Sequence, residues 1–159
     1  MNPRRFTSLI GQVHVDWLGQ AFHLSIPRHS GIDLTDEQVG LEVKSRYAKY
    51  SKRWAVHHYQ YKLFQDENPD KELFWAFVLY NLSREPSEIQ HNRVKMYIQN
   101  RQAWVIPWKS ITEFPVSKVK TGPYYYPSSN IFKQMNLQPF QTPKGIIYFP
   151  RGSVLERRL

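Results

Sequence analysis

The sequence predicts an α/β fold, a mixed β-sheet flanked by helices, and three observations carry that expectation. An apolar stripe at three- and four-residue spacing opens the chain, short alternating or wholly apolar runs follow, and a second helical pattern falls between two of those runs. With 159 residues, 41% of them hydrophobic and 15% aromatic, the chain can bury a core and reads as one domain.

The elements follow in order. Phe6, Leu9, Ile10, Val13, Trp17 and Leu18 make one face of a helix over residues 4–20, with Gly11 inside it. "AFHLSIP" alternates Phe22, Leu24 and Ile26 against Ala21, His23 and Ser25, a strand pattern stopped by Pro27. "GIDLT" and "VGLEVKS" read as two further short strands. A second helix is expected over residues 52–67, with Trp54 and Tyr61 on its apolar side and Pro69 as its stop. "ELFWAFVLYNL", Glu72 to Leu82, is apolar throughout and of strand length, so it should be a central strand buried on both faces.

Residues 83–102 read equally as a helix or a polar excursion, and "AWVIPW" as a strand that Pro107 ends or confines to an edge. Residues 1–108 then form the core. Residues 109–159, rich in Pro and Tyr, form an extension with a "TGPYYYPSSN" loop, a "GIIYF" strand and a flexible basic tail, "RGSVLERRL".

Charge narrows the partners. A net charge of +9 and a pI near 9.8 favour polyanions, nucleic acid before an anionic membrane surface, with a merely basic protein as the remaining reading. No apolar run reaches the roughly 20 residues of a membrane span, and the N-terminus lacks the apolar stretch and cleavage site of a signal peptide. The absence of cysteine excludes disulfides, thiolate metal sites and cysteine nucleophiles, and fits an intracellular location. No nucleotide-binding glycine loop is present, which leaves ATP-driven mechanisms unsupported.

The chemistry concentrates in "GIDLTDEQVGLEVKS". If residues 36–39 form a four-residue turn, Thr35 faces Gly40, Leu34 faces Leu41 and Asp33 faces Glu42. Strand alternation gives Ile32 and Leu34 one face, with Asp33, Glu42 and Lys44 on the other. Two carboxylates directly opposite one another repel, and a divalent cation removes that objection because Mg²⁺ selects hard oxygen ligands. Lys44 can then hold a water near a bound phosphate, as phosphodiester hydrolysis requires. The alternative is a hairpin whose Asp, Glu and Lys pair in solvent.

This pattern, "GIDL" followed by "LEVKS" within a helix–strand–strand–helix–strand order, resembles the PD-(D/E)xK nuclease superfamily of restriction enzymes, homing endonucleases, junction resolvases and RecB-type exonucleases. The resemblance covers Phe6 to Leu82 and implies a restriction-endonuclease-like sheet. It implies Asp33 and Glu42 as metal ligands with the Val43 carbonyl as a third, Lys44 as catalytic lysine, and Mg²⁺ as cofactor, with Mn²⁺ able to substitute. Gln60 matches the glutamine of a Gln-x-x-x-Tyr pattern, with Phe64 in the tyrosine position. Ile32 stands where Pro is frequent, and the first helix offers Gln12 or His14 where many members carry an acid. Arg46, Lys49, Lys52 and Arg53 would contact DNA phosphates or form a solvated charge run; Tyr124 and Tyr125 would stack on bases or pack in a loop.

The function so implied is Mg²⁺-dependent endonucleolytic cleavage of double-stranded DNA, site-specific in the restriction or homing manner. A homodimer or higher symmetric oligomer would supply two active sites for the two strands. A Holliday-junction resolvase and a non-catalytic nucleic-acid-binding module are the alternatives.

Overall fold

The computed structural model describes residues 3–28 and 31–159. Helix α1 (Pro3–Phe22) forms where the apolar stripe lies and buries Phe6, Ile10, Val13, Trp17, Leu18 and Phe22. It runs past the expected end, and the strand expected over residues 21–26 does not form. Phe22 continues the helix stripe one turn after Leu18. His23 then takes a left-handed φ of 57°, and the Leu24 N–H returns to the Gly19 carbonyl at 2.9 Å, closing the helix in a Schellman turn. Of the expected strand, Ser25 keeps an isolated bridge to Thr35.

Strands β1 (Leu34–Thr35) and β2 (Val39–Tyr47) are antiparallel, with Leu34 opposite Leu41 and Thr35 opposite Gly40, the register read from the turn length. Asp36 makes the turn: its Oδ1 accepts from the Gln38 and Val39 N–H groups at 2.8 and 2.9 Å. The helix expected over residues 52–67 is shorter. Val56–His57 is a strand, β3, and α2 is His58–Glu67. The His57 Nδ1 accepts from the Tyr59 N–H at 2.9 Å and caps α2.

Strand β4 (Glu72–Leu82) is buried continuously from Leu73 to Tyr80 and lies between β2, to which it is parallel, and β5 (Ile98–Pro107), to which it is antiparallel. The ambiguous stretch before β5 resolves into two 3₁₀ turns and a single-turn helix, α3 (Val94–Tyr97). Pro107 ends β5, which has neighbours on both sides. β6 (Val116–Val119) and β7 (Gly122–Tyr125) form a hairpin, so part of the expected tyrosine loop is a strand. After α4 (Ser129–Phe132) come β8 (Leu137–Thr142) and β9 (Gly145–Pro150). The basic tail is not a loose extension: residues 154–158 form a 3₁₀ helix, Leu155 is buried, and Arg158 pairs with Asp36.

Among the described residues six strands form one sheet in the order β1-β2-β4-β5-β9-β8, and three form a second in the order β3-β7-β6. The fold is therefore mixed α/β, two sheets flanked by helices. Strand parity on β4 splits the core. Phe74, Ala76 and Val78 join the cluster that holds Trp17, Leu18 and Phe22 of α1. Trp75, Phe77 and Leu79 join a largely aromatic cluster with Tyr61 and Phe64 of α2, Trp54, Trp104 and Phe132. Trp75 and Trp108 stack there with ring centroids 3.8 Å apart, and each indole N–H reaches a backbone carbonyl. No described helix is long and apolar enough to cross a membrane.

Candidate active site

Asp33 and Glu42 come together at the start of the large sheet. In the parallel register Glu42 lies beside Trp75 and Lys44 beside Phe77, so both project to the sheet face that carries α2. Asp33 arrives differently from the strand-parity expectation. Ladder pairing begins only at Leu34, and Ile32 packs in the aromatic cluster while Leu34 packs with α1. The chain turns between those faces at Asp33. Its Oδ2 accepts from the Val43 N–H at 2.8 Å, at the edge of β2 where β1 no longer pairs.

Burial dominates the electrostatics. Glu42 is only 5% exposed, and its pKa rises to about 8 because burial disfavours the charged form and the Asp33 carboxylate beside it repels a second charge. Lys44 pulls the other way, with its Nζ 3.1 Å from Glu42 Oε2, and is outweighed. Glu42 Oε1 is buried, and no donor among the described residues reaches it; the hydrogen bond it can share with Asp33 requires that one of the two carboxyls keep its proton. Such an oxygen is costly to leave unsatisfied.

Gln60 is half-buried on α2, one turn before Phe64, and Phe64 approaches Gly31 so closely that a Cβ there would lie 2.7 Å from its ring. This places Gln60 on the helix side nearest the Asp33 segment. The first-helix candidates do not join the pair. Gln12 is exposed and bonds Asp16 at 3.0 Å. His14 lies on the opposite face of β2, where its Nδ1 is 2.8 Å from the Ser45 hydroxyl. Burial, then the charge of Arg101, hold the His14 pKa down to about 3, so it is neutral. Among the described residues no group of three or more His, Asp or Glu side chains is arranged to hold a metal.

The basic residues after β2 divide. Arg46 is exposed and shares the face of Lys44. Lys49 pairs with Glu85 at the surface. Lys52 is exposed, and Arg53 stacks on Tyr126 with its Cζ 4.7 Å from the ring centroid. The tyrosines serve packing between elements: Tyr124 meets His57 edge-on, and the buried Tyr125 places its hydroxyl 2.7 Å from His58 Nδ1. Lys71, which motif reading passed over, bonds the Thr35 hydroxyl at 2.8 Å and adds a cation beside the hairpin. Its signal was its place just before β4, whose first residues run alongside the start of β2.

Comparison with protein-family models, with curated proteins and with solved structures finds no match to this chain.

Proposed function

We propose that this chain is a divalent-metal-dependent endonuclease acting on double-stranded DNA, with a restriction-endonuclease-like core built from α1, β1, β2, α2 and β4. The observation that carries the reading is the acidic pair: the buried Glu42, with one oxygen that no donor reaches, set against the half-buried Asp33 and followed on the same face by Lys44. A sequence selected for stability alone would replace such a pair, because one buried carboxyl must keep a proton or find a cation.

The residues present fit Mg²⁺ or Mn²⁺. No donor among the described residues reaches Glu42 Oε1, and Asp33, Glu42 and the Val43 carbonyl are hard oxygen donors. When bound, the ion would supply charge stabilisation at the phosphodiester and a water of lowered pKa. Asp33 is oriented by its bond from the Val43 N–H, which keeps the carboxylate directed along the strand edge. Lys44, freed from Glu42 when that carboxylate turns to a cation, would donate to a phosphate oxygen or hold the attacking water. Gln60 would orient that water from α2. Arg46 and Lys52 extend positive charge beyond β2 for phosphate contact. Two copies would serve the two strands, with the target chosen by a specific sequence rather than by a junction.

The test is incubation with supercoiled plasmid, linear duplex and synthetic four-way junctions, in Mg²⁺ or EDTA. Metal-dependent cleavage that falls by about 10²–10⁴-fold in Lys44→Ala, with DNA affinity retained, is the expected result. Tight binding without cleavage of any of these substrates would replace the nuclease with a non-catalytic binding module. Cleavage confined to junctions would make it a resolvase.

A further inference from the structure

A pocket of about 470 Å³ opens at the end of β2, where Phe6 of α1 meets Ser45, Arg46 and Tyr47 of β2, Tyr80 of β4 and Tyr50 of the following turn. β1 pairs only with Gly40 and Leu41, so no described strand covers the outer edge of β2 from Val43 to Tyr47. The pocket lies beside that open edge. Its residues Ser45 and Tyr47 stand roughly 3 and 10 Å along the strand from Lys44.

Tyr47 and Tyr80 are buried, and their rings meet edge-on with centroids 5.6 Å apart. Tyr50 is 70% exposed; its ring touches that of Tyr47, at 5.0 Å, and is otherwise open to solvent. None of the three hydroxyls forms a hydrogen bond among the described residues, and those of Tyr47 and Tyr80 are not shut off from solvent. Burial pushes the Tyr80 hydroxyl up to about 12, Tyr47 and Tyr50 add to the rise, and the Arg46 charge opposes it. Three neutral phenols and one guanidinium thus share a neighbourhood. Glu85, at the rim, is engaged by Lys49, which leaves Arg46 as the unpaired charge among the described residues of the pocket. An aromatic cluster built for packing needs neither an open ring nor a set of convergent free donors.

We propose that this pocket receives one nucleotide, with its base stacked on Tyr50, the polar edge of the base bonded by the tyrosine hydroxyls, and its phosphate at Arg46. A base offers a flat π-face and acceptors on its edge, and a guanidinium suits a phosphate. Walls, donors and charge are each matched by one part of that ligand, and the volume holds a base with its sugar. Inside a duplex the base would have to leave the stack, so an unpaired nucleotide is the favoured form. That the nucleotide belongs to the DNA strand lying at Lys44 rests on the hydrolytic reading; the nucleotide site itself stands on Tyr47, Tyr50, Tyr80 and Arg46.

Binding in EDTA, where metal-dependent cleavage is silent, tests it with four probes. Three are duplexes: fully paired, carrying one unpaired nucleotide, and carrying that nucleotide without its base. The fourth is a free 5′-mononucleotide. The wild type should bind the unpaired base about 5–100-fold more tightly than either of the other duplexes. Tyr50→Ala should lose that preference and Tyr50→Phe should keep it, because the ring does the stacking; Tyr50 is exposed, so neither change should disturb the fold. A preference for the unpaired base assigns a strand as the source of the nucleotide. Mononucleotide binding that Tyr50→Ala abolishes, with no preference among the duplexes, assigns a free nucleotide. Absence of both responses overturns the site, as does either response surviving Tyr50→Ala undiminished. Cleavage in Mg²⁺ is scored separately: base preference without cleavage removes the hydrolytic reading alone, and cleavage without either binding response removes this site alone.

Discussion

Two buried titratable residues set how the metal-free protein responds to pH, and they act in opposite directions. Glu42 has a folded pKa of about 8 against an ordinary 4.5, so the folded state holds its proton more tightly than the unfolded chain. Its contribution is most favourable below pH 4.5 and is lost as pH rises through 8. His14 is held near 3 against an ordinary 6.5, so the unfolded chain takes its proton first. Stability associated with it is complete above 6.5 and lost as pH falls towards 3. The metal-free wild type should therefore be most stable between about pH 5 and 6.5 by urea denaturation. Glu42→Gln, which cannot ionise, should gain on the order of 3 kcal/mol relative to wild type between pH 5 and 8. A constant difference across that range would mean that Glu42 ionises as freely as in water.

At the scale of elements, strands announced themselves where burial wrote a simple pattern. β4 was legible to the residue because a strand covered on both faces must be apolar throughout. The β1–β2 register followed from turn length, but Asp33 precedes the paired residues, and it comes beside Glu42 because the chain turns there and its carboxylate accepts from the Val43 N–H. Local pattern failed where distant partners decided. Val56 and His57 pair with Tyr125 and Tyr124, nearly 70 positions away, which makes a strand of what reads as the start of a helix. Alternation after Phe22 was real but weaker than the helix stripe it prolonged. Arg101 carried a usable signal, a charge on the same parity as the buried Ala103 and Val105, hidden because the beginning of β5 looked like a polar excursion. One junction tests this level of organisation. A Cβ at Gly145 would lie 2.5 Å from the backbone oxygen of Arg101, its partner in the parallel β5–β9 ladder. Backbone cannot yield as a side-chain tip can, so Gly145→Ala should cost about 1–3 kcal/mol in chemical denaturation. Unchanged stability would mean that β9 does not sit against β5 as described.

The whole molecule ties its C-terminal part to the hairpin that bears the acidic pair. β8 and β9 complete the sheet that β1 and β2 begin, and Arg158 closes on Asp36 at the turn that sets Leu34 opposite Leu41 and Thr35 opposite Gly40. A cationic chain of net charge +9 thus presents, on one face of the large sheet, the buried Glu42 carboxyl beside Asp33 and Lys44, and on the other the buried Arg101 guanidinium beside Trp17. The first of these bears on the central proposal, that Asp33 and Glu42 hold a divalent cation. Mn²⁺ titration of the metal-free protein at several pH values, followed by calorimetry and electron paramagnetic resonance, tests it most directly. Because loading must expel the Glu42 proton, affinity should rise about tenfold per pH unit up to pH 8, where the folded carboxyl titrates. Glu42→Gln should bind far more weakly and without that slope. Wild-type protein that takes up no Mn²⁺ at pH 8, or Glu42→Gln that binds it equally well, would contradict the account.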